Sequence, residues 1–315
     1  MPRLSIIIPT LNRYSDLRNT ISYLQAQSVE DFEILIVDQT DDAGREELSS
    51  LDPRIHYFLL EEKSASAARN VGIRAAQGEI LLFIDDDVII KNPEYLANHL
   101  RNYVHPDIPG VFGCTLEQAF HRSVRQSRPK KSYHRDNGWL FFPQNYAKPA
   151  FVDSGRSNNL SVRRSVAIAV GGMDEQYEKG AHREEADFCI RVSRQFGPLF
   201  FDPEARLVHI GNAQGGIRSW QGKSVIKSRH HFVGAMYFIF NLVPLKYYPL
   251  HLWLNVRYFV LGPALRRAPW QIPTALGRLI SASIEAWQKK RQGPKLLQAV
   301  EERKNVLEEK INSRA

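Results

Sequence analysis

The stretch GEILLFIDDDVIIKN, from Gly78 to Asn92, decides how the rest of this sequence is read. Its part from Glu79 to Ile84 is mostly apolar and β-inclined, which is typical of a strand buried on both faces of a parallel sheet. The run stops at three carboxylates, Asp85, Asp86 and Asp87, whose like charges must be solvated or neutralised. A divalent cation neutralises such a cluster and also holds the phosphates of a ligand. The stretch therefore predicts a ligand site at a strand end, with a solvated acidic turn as the alternative.

Predicted strands and helices alternate around this stretch, which favours a parallel, doubly wound α/β sheet. Open sheets of this kind bind ligands at the carboxyl ends of their strands. No Gly-x-Gly-x-x-Gly follows the first strand, which argues against a dinucleotide cofactor. The other strands are expected at Leu4–Ile8, Phe32–Val37, Ile55–Leu60, Val111–Leu116, Leu199–Phe201 and Arg206–Val208. Helices are expected from Ser15 or Asp16 to about Gln27, over Ala65–Gln77, Pro93–Tyr103 and Glu184–Gln195, and after a cap at Ser165.

The charge of the chain is unevenly distributed. The 315 residues carry a formal net charge of +8, but residues 218–291 hold 12 Lys and Arg against a single acid, Glu285. The basic character therefore belongs to the C-terminal segment rather than to the main domain. The two cysteines, Cys114 and Cys189, provide neither a disulfide framework nor a paired zinc motif. The run Ile6–Ile8 is too short for the core of a signal peptide, so we expect a cytoplasmic protein.

A second acidic cluster, Glu184-Glu185-Ala186-Asp187, opens the predicted helix near residue 184. Glu185 lies one turn before Cys189, which places it on the inward face of the first turn. Asp187 and Arg191 have the i,i+4 spacing of a helical ion pair. The cluster is therefore a candidate site, and compensation of the helix dipole is the alternative explanation for its acids.

The middle of the chain has no clear period. Residues 120–149 mix basic and aromatic side chains, which is compatible with a mobile substrate loop, a nucleic-acid patch or an ordinary insertion. No RNA- or DNA-binding signature supports the second of these, so we expect no nucleic-acid partner. A polar run over residues 154–159 follows, and His209 ends the last predicted strand. A lone histidine at a strand end is either structural or a ligand.

Several short motifs occur along the chain in a definite order: Ser5–Arg13 (SIIIPTLNR), Val37-Asp38, Ser66–Gly72 (SAARNVG), Asp85–Asp87, Gly171–Glu175 (GGMDE), Glu184–Arg191 (EEADFCIR) and His209. In this order and spacing they resemble glycosyltransferase family 2, whose members are inverting enzymes of the GT-A fold. The resemblance covers about Leu4 to Gly211. It implies a doubly wound, mixed and mainly parallel sheet with a C-terminal helical segment. It also implies a catalytic domain over residues 1–216, with nucleotide-sugar binding over about 1–117 and the acceptor side over about 118–216. The α/β alternation ends after Gly216, so we expect a basic, amphipathic helical region over residues 217–315.

The resemblance also implies roles for individual residues. Those expected to bind the nucleotide-sugar donor are Pro9, Thr10, Asn12, Asp38, Arg69, Asp85 and Asp86. Those expected to hold Mn²⁺ or Mg²⁺ are Asp85, Asp87 and His209. The position of the catalytic base falls on Glu185. Those expected on the acceptor side are Asn158, Asn159, Glu184 and Asp187.

The implied reaction is a metal-dependent, inverting transfer of a sugar from a nucleoside diphosphate to a glycan or lipid-linked acceptor, in cell-surface polysaccharide synthesis. The chemistry suits the residue types, because a divalent ion stabilises a departing diphosphate and a carboxylate accepts the acceptor proton. A UDP-sugar is the expected donor, with dTDP- and GDP-sugars as alternatives. Two features depart from the family: the base is Glu where Asp is common, and Gln39–Asp42 replaces an Asp-Gly-Ser-type loop.

Two other functions compete with this one. A nucleotidyltransferase also uses aspartates at strand ends, but we would expect a glycine-rich phosphate loop near the N-terminus, and Pro9–Arg13 contains no glycine. A nucleotide-sugar-binding subunit without catalysis is the other alternative. The presence of Asp85, Asp87 and Glu185 argues against it, whereas Glu in place of Asp at the base position keeps it open.

The C-terminal segment contains two apolar runs, Phe232–Leu245 and Tyr247–Leu261, that are shorter than the roughly 20 residues a spanning helix needs. Its aromatic residues and flanking arginines suit a membrane interface, so we expect an anionic membrane partner at the inner face of the cell membrane. The alternative is a helical bundle that packs on the catalytic domain or on a second copy of the chain. A charged helix is expected over Gln298–Ala315. The interfacial residues are Trp253, Tyr258, Arg266, Arg267 and Trp270.

Overall fold

A computed structural model describes residues 3–41, 46, 48–118, 123–129, 132–180, 182–212, 214–216, 229–262 and 268–297. Their strands are β1 (Leu4–Thr10), β2 (Phe32–Asp38), β3 (Ile55–Leu59), β4 (Ile80–Ile84), β5 (Val88–Ile89), β6 (Gly110–Glu117), β7 (Tyr133–His134), β8 (Trp139–Leu140), β9 (Ala150–Val152), β10 (Asn159–Arg163) and β11 (Leu199–His209). β7 and β8 form a hairpin within residues 120–149, where the sequence shows neither helix nor strand periodicity. The other nine strands form one sheet in the order β3-β2-β1-β4-β10-β6-β11-β5, with β9 beside β11.

The sheet is mixed, and the predicted fold class is confirmed. β3, β2, β1 and β4 are parallel neighbours, β10 is antiparallel to β4 and to β6, and β11 is parallel to β6. Six strands therefore point one way, and β5, β9 and β10 point the other. One strand prediction was wrong in detail, because the two strands expected at 199–201 and 206–208 are a single strand. Its register with β6 shifts between Asp202 and Arg206, so pairing resumes after the irregularity.

Five helices cover the two faces of the sheet: α1 (Tyr14–Gln25), α2 (Ala65–Ala75), α3 (Tyr95–Leu100), α4 (Arg164–Ala169) and α5 (Glu184–Phe196). The cap expected at Ser15 or Asp16 is wrong, because α1 begins at Tyr14 and no side chain caps it. The hydroxyl of Tyr14 donates to Asp38, so a tertiary contact holds the first turn. Similarly, α4 begins before Ser165 and lacks a side-chain cap.

Alternate residues of each central strand enter different cores. Ile6 and Ile8 of β1 belong to a cluster with α1 and α3, whereas Ile7 belongs to a cluster with α2, α4 and α5. All five residues of β4 are buried. Because both faces are covered, these strands read as continuous apolar runs rather than as alternating ones. The sheet therefore carries the acidic end of β4 to an edge where several loops converge.

The C-terminal helices pack on the α/β domain. They are α6 (Arg229–Leu242), α7 (Tyr248–Asn255), which continues into a π-helical turn (Val256–Val260), and α8 (Ile272–Gln292). A third core cluster joins Tyr177, Ala186 and Ile190 of the α/β domain to buried side chains of α6 and α8. Within the described residues, no helix combines the length and the hydropathy that crossing a membrane requires. The helix predicted over Gln298–Ala315, and the pair Arg266 and Arg267, lie outside the described residues.

Candidate active site

The three aspartates after β4 have different environments. Asp87 is fully buried and Asp86 nearly so, whereas the side chain of Asp85 is about one quarter exposed (26%). Asp86 accepts a hydrogen bond from Thr10 Oγ1 at 2.7 Å and lies 3.2 Å from Nη1 of Arg13. Burial raises the pKa of Asp86 to about 7, although Arg13 opposes the shift. Asp86 is therefore held between β1 and α1, and Asp85 is the aspartate open to a ligand.

Asp85, Asp87 and His209 converge on one point. Their ligand atoms all lie within 4.8 Å of one another, and Nε2 of His209 is 3.2 Å from Asp87 Oδ1 and 3.5 Å from Asp85 Oδ2. β11 brings the histidine there, because Ile210 N donates to the backbone oxygen of Asp87 (2.9 Å). Oδ1 of Asp87 is buried, and among the described residues its contact is the ion pair with Nε2 of His209 rather than a well-aligned hydrogen bond. Two carboxylates and an imidazole nitrogen that converge in this way fit a divalent cation.

The electrostatics of this cluster favour a positive charge at its centre. Burial by itself lowers the pKa of His209, but Asp87 and Glu117 outweigh it and raise the pKa to about 10. Burial likewise raises the pKa of Asp87, but His209 and Arg13 outweigh it, so that pKa is below its usual range. The imidazolium thus occupies the place of positive charge between the carboxylates. A cation that binds there must displace the Nε2 proton.

Arg13 contributes to the site, although the sequence motifs assigned it no role. Its Nη1 lies 3.1 Å from Asp87 Oδ2. Its other nitrogens donate to the backbone oxygens of Asn212 (2.8 Å), Gln214 (3.0 Å) and Gly215 (3.3 Å). Arg13 therefore ties the loop after β11 to the acidic strand end. The sequence offered one signal for a role of Arg13, because this residue ends the motif Ser5–Arg13 shortly after β1.

The residues expected at the nucleotide lie at the ends of β1 and β2. Asp38 is fully buried and accepts hydrogen bonds from Tyr14 OH (2.6 Å), Tyr57 OH and Thr40 N (2.8 Å). Burial raises its pKa, but these donors outweigh burial and lower the pKa overall. Asn12 is exposed at φ 56° and donates its backbone N–H to Thr40. Pro9 is half-buried beside Val37. Asn12 is thus accessible, whereas Asp38 is already engaged by protein groups.

Arg69 connects the donor side to the second acidic cluster. Its Nη1 lies 2.8 Å from Oε1 of Glu184, and its Nη2 lies 3.4 Å from Oδ1 of Asp85. Ser66 also donates to Glu184, at 3.3 Å. The guanidinium is buried between two carboxylates, so the start of α5 and the end of β4 share one charge network. Glu184 is therefore held by Arg69 and Ser66, and its expected place on the acceptor side stays a prediction.

Glu185 differs from its neighbour. It is buried to 7% exposure, yet no described residue donates a hydrogen bond to it. The positive residue nearest in sequence, Arg183, has a left-handed backbone (φ 79°); its guanidinium lies 5.0 Å from the ring of Phe238 and interacts electrostatically with Glu185. A carboxylate at the start of a helix, without a protein donor among the described residues, is suited to accept a proton from a ligand.

The other residues expected on the acceptor side have separate environments. Asn158 is buried, and its Oδ1 accepts no hydrogen bond from the described residues. Asp187 pairs with Arg191 at 2.9 Å, as its spacing predicted. Asn159 lies inside the sheet, where Oδ1 accepts from Tyr95 OH (2.8 Å) and contacts His99 (2.9 Å). Its Nδ2 donates to Cys114 O and Ala205 O, so its side chain is engaged inside the sheet, and the acceptor role expected of Asn159 stays a prediction.

Comparison with known proteins relates the first half of the chain to a family. Residues 5–154 match the family model described as Glycosyl transferase family 2. The matched part includes Asp38, Arg69 and the Asp85–Asp87 cluster, whereas Glu185 and His209 lie beyond it.

Two curated relatives are glucosyltransferases. The chain is 38% identical over 128 residues to GalNAc(5)-diNAcBac-PP-undecaprenol beta-1,3-glucosyltransferase of Campylobacter jejuni, covering 38% of this chain and 40% of that protein. It is 28% identical over 235 residues to validoxylamine A glucosyltransferase of Streptomyces hygroscopicus, covering 65% of this chain and 54% of that protein. The chain thus spans about half the length of the curated relatives it matches.

Solved structures share the fold. A mannosyltransferase of Pyrobaculum calidifontis, solved with GDP-Man and Mn²⁺, superposes with a TM-score of 0.54 at 17% identity, covering 90% of this chain and 75% of that one. TarS of S. aureus gives 0.56 at 18% identity, with 90% and 81% covered. At these identities the likeness shows the fold alone, which is that of the GT-A glycosyltransferases.

Proposed function

We propose that the protein is a glycosyltransferase that moves a sugar from a nucleoside diphosphate to an acceptor hydroxyl with inversion, which the match of residues 5–154 to the family 2 model supports. The observation that carries the proposal is the pair of sites joined by Arg69. On one side Asp85, Asp87 and His209 could hold a cation, and on the other Glu185 follows Glu184, the ion-pair partner of Arg69, in the first turn of α5. The first site suits a diphosphate and the second suits an acceptor hydroxyl.

The residues of the chain divide the reaction between them. Asp85, Asp87 and His209 would hold Mn²⁺ or Mg²⁺, and the nitrogen ligand favours Mn²⁺, because Mg²⁺ takes mainly oxygen ligands. When bound, the cation supplies Lewis-acid stabilisation of the departing diphosphate. Asn12, Thr10 and Arg69 are placed to bind or orient the donor. Glu185 accepts the proton of the attacking hydroxyl, and one base on the face opposite the leaving group implies inversion.

The donor and acceptor are proposed by class. We favour a UDP-sugar, with dTDP- and GDP-sugars as alternatives, and a glycan or lipid-linked acceptor of cell-surface polysaccharide synthesis. The name of the Campylobacter relative contains an undecaprenol-linked acceptor, which supports the lipid-linked class.

The experiment is a screen of UDP-, dTDP- and GDP-sugars with Mn²⁺ or Mg²⁺, which monitors hydrolysis and transfer by release of the nucleoside diphosphate. We expect release from one donor class, dependent on the cation and lost in Asp87→Asn. Binding of a nucleotide-sugar without turnover would favour the non-catalytic subunit. Release of pyrophosphate from a nucleoside triphosphate and a sugar phosphate would favour a nucleotidyltransferase.

We also propose that the protein works at the inner face of the cell membrane. Leu276, Ile280, Ile284 and Trp287 of α8 are between 39% and 63% exposed, and their spacing places them on one helix face. We call this set the α8 outer face. Trp253 and Tyr258 are also exposed nearby in sequence. The described C-terminal residues hold eight Lys and Arg against one acid, Glu285. Exposed aromatic and aliphatic side chains with a positive balance suit an anionic lipid surface.

A further inference from the structure

We propose that Glu117 is a positioning residue that orients His209 for the cation and connects this ligand to the acceptor-side loops. The proposal rests on the proposed cation site. Glu117 and His209 are register partners at the carboxyl ends of the parallel strands β6 and β11. Oε2 of Glu117 lies 2.7 Å from Nδ1 of His209, and Glu117 is buried to 7% exposure. The contact is therefore built into the sheet rather than made by a flexible surface group.

The contact selects which ring nitrogen of His209 is available. An ionised carboxylate only accepts hydrogen bonds, so Nδ1 must carry the hydrogen that Glu117 accepts. Nε2, on the opposite side of the ring, points to Asp85 and Asp87. When Nε2 loses its proton, the tautomer held by Glu117 presents a lone pair to the cation. Carboxylates that hold a histidine ligand in this way fix its tautomer and orientation and raise its basicity.

The second oxygen of Glu117 reaches the acceptor side. Oε1 lies 3.0 Å from Nη1 of Arg156 and 3.3 Å from Nε2 of Gln144. Arg156 belongs to the polar run between β9 and β10, and its guanidinium lies 5.5 Å from the ring of Phe142. The loop that contains Phe142 and Gln144 is held against β6 by a backbone hydrogen bond from Thr115 N to Gln144 O (3.2 Å). One carboxylate therefore contacts a cation ligand with one oxygen and two loop residues with the other.

Glu117 therefore links the loops of Arg156 and Gln144 to the cation site through hydrogen bonds. A loop displacement that moves Arg156 or Gln144 changes the hydrogen bonds that hold the Glu117 carboxylate. His209 then loses its fixed orientation, because its Nδ1 partner is no longer held. The positions of these loops and the affinity for the cation are thus coupled through Glu117.

The test measures cation binding directly, without turnover. Mn²⁺ is titrated into the full chain with and without UDP and followed by electron paramagnetic resonance, and Co²⁺ is followed by its visible absorption. We expect Glu117→Gln to weaken Mn²⁺ binding by about 10–100-fold, the usual effect of losing such a partner, and to alter the Co²⁺ spectrum. Arg156→Gln, at a partly exposed position, should shift both readouts in the same direction by less.

Glu33→Gln is the matched control, because Glu33 is also a buried carboxylate and accepts from Ser5 Oγ (2.6 Å) and Gln77 N (2.7 Å). It should leave Mn²⁺ affinity and the Co²⁺ spectrum unchanged. Wild-type affinity and spectrum in both Glu117→Gln and Arg156→Gln would overturn the role of Glu117 while leaving the cation site intact. If Glu117→Gln does not fold, Arg156→Gln decides alone. A wild-type chain that binds neither ion, with UDP present or absent, would overturn the cation site as well.

Discussion

At the scale of the residue, Glu184 and Glu185 are adjacent in sequence and both are buried, but their hydrogen bonds differ. Glu184 is bound by Arg69 and Ser66, whereas no described residue donates to Glu185. Successive helical residues point about 100° apart, so only one of two adjacent acids can face the Arg69 network. The proposed division of labour follows, with Glu184 holding the site together and Glu185 meeting the substrate.

Glu185→Gln keeps the shape of the side chain and removes its basicity. We expect kcat for transfer to fall by about 10²–10⁴, the usual range for loss of a general base, with little change in donor affinity. Glu185→Asp should lose part of the activity, because the carboxylate is withdrawn by one methylene. Steady-state kinetics and donor calorimetry check both variants.

The fold should survive these changes, since a charge in a first helical turn contributes only about 0.3–1 kcal/mol. Unfolding temperatures provide the control. Transfer by Glu185→Gln at a rate near that of the wild type would contradict the proposed base and make Glu184 the next candidate.

A buried histidine away from the cation site predicts a pH dependence of stability. His99 lies between Asn159 and Ser161, and burial lowers its pKa from 6.5 to about 4, while Asn159 and Asp202 oppose the shift. Between these values the unfolded chain binds a proton that the folded chain does not, so stability falls as the pH falls. The full effect is about 3 kcal/mol, reached near pH 4.

His99→Gln removes this titration. Urea unfolding of wild type and variant at several pH values gives the difference in stability, which cancels the histidines that both share. We expect the difference to change between pH 6.5 and 4 and to stay constant above pH 7. A difference independent of pH over this window would contradict the buried, neutral state of His99.

At the scale of the element, α8 has two apolar faces, and one of them packs against the other C-terminal helices. Its inner face, Ala275, Leu279, Ala282 and Ala286, packs in the C-terminal core. The α8 outer face is exposed in the same helix. The helical-bundle alternative is thus observed for the inner face, and the membrane proposal concerns only the outer one. An exposed apolar face can also be covered by a second copy of the chain.

Replacing Ile280 by Glu tests the membrane proposal. The wild type should sediment with vesicles that contain anionic lipid, and high salt should release only part of it, because apolar contacts are not screened. Ile280→Glu should bind several-fold less, since a carboxylate opposes both apolar insertion and the anionic surface. Val104→Glu, at another exposed apolar position outside the C-terminal helices, is the matched control and should bind as the wild type does.

Wild-type protein that ignores anionic vesicles at low salt would contradict the membrane proposal. If the same protein is dimeric by analytical ultracentrifugation and Ile280→Glu is monomeric, the outer face is a contact between copies.

At the scale of the whole molecule, the loop Gly171–Glu178 joins the C-terminal helices to the α/β domain. Asp174 accepts hydrogen bonds from Tyr237 OH of α6 (2.8 Å) and from the backbone N–H of Lys295 (2.9 Å). Leu297 N donates to Gly171 O (2.8 Å), and a Cβ on Gly172 would lie 2.4 Å from the side chain of Leu297. The GGMDE motif thus also binds residues 295–297, which follow α8.

This packing predicts that the described parts unfold together. In urea, the far-ultraviolet circular dichroism and the tryptophan fluorescence should follow one transition. A chain that ends at Gly216 should be less stable or aggregate, because Tyr177, Ala186 and Ile190 lose their partners in the third core. Two separated transitions, or a shortened chain that is as stable as the full one, would contradict this coupling.

The sequence by itself determined β1 to β4 and β6, and β11 as two pieces, together with the order of the motifs and the candidates Asp85 and Asp87. His209 became a candidate through the family resemblance, and β5 and β7 to β10 were not predicted. Buried parallel strands need continuous apolar runs, so β1, β2 and β4 are visible locally. Charged residues directly after such runs are conspicuous, because burial without a partner is costly. These features depend on spacing along the chain, which a sequence displays.

Only the tertiary structure decided the contacts of Arg13, Glu117 and Asn159 and the exposure of the α8 outer face. Glu117 and His209 are 92 residues apart, and strand register brings them together. Asn159 looks like part of a polar loop in the sequence, but β10 runs between β4 and β6 and takes it into the core. In each case the environment of a side chain depends on which distant strand or helix packs beside it, and local spacing carries no information about that choice.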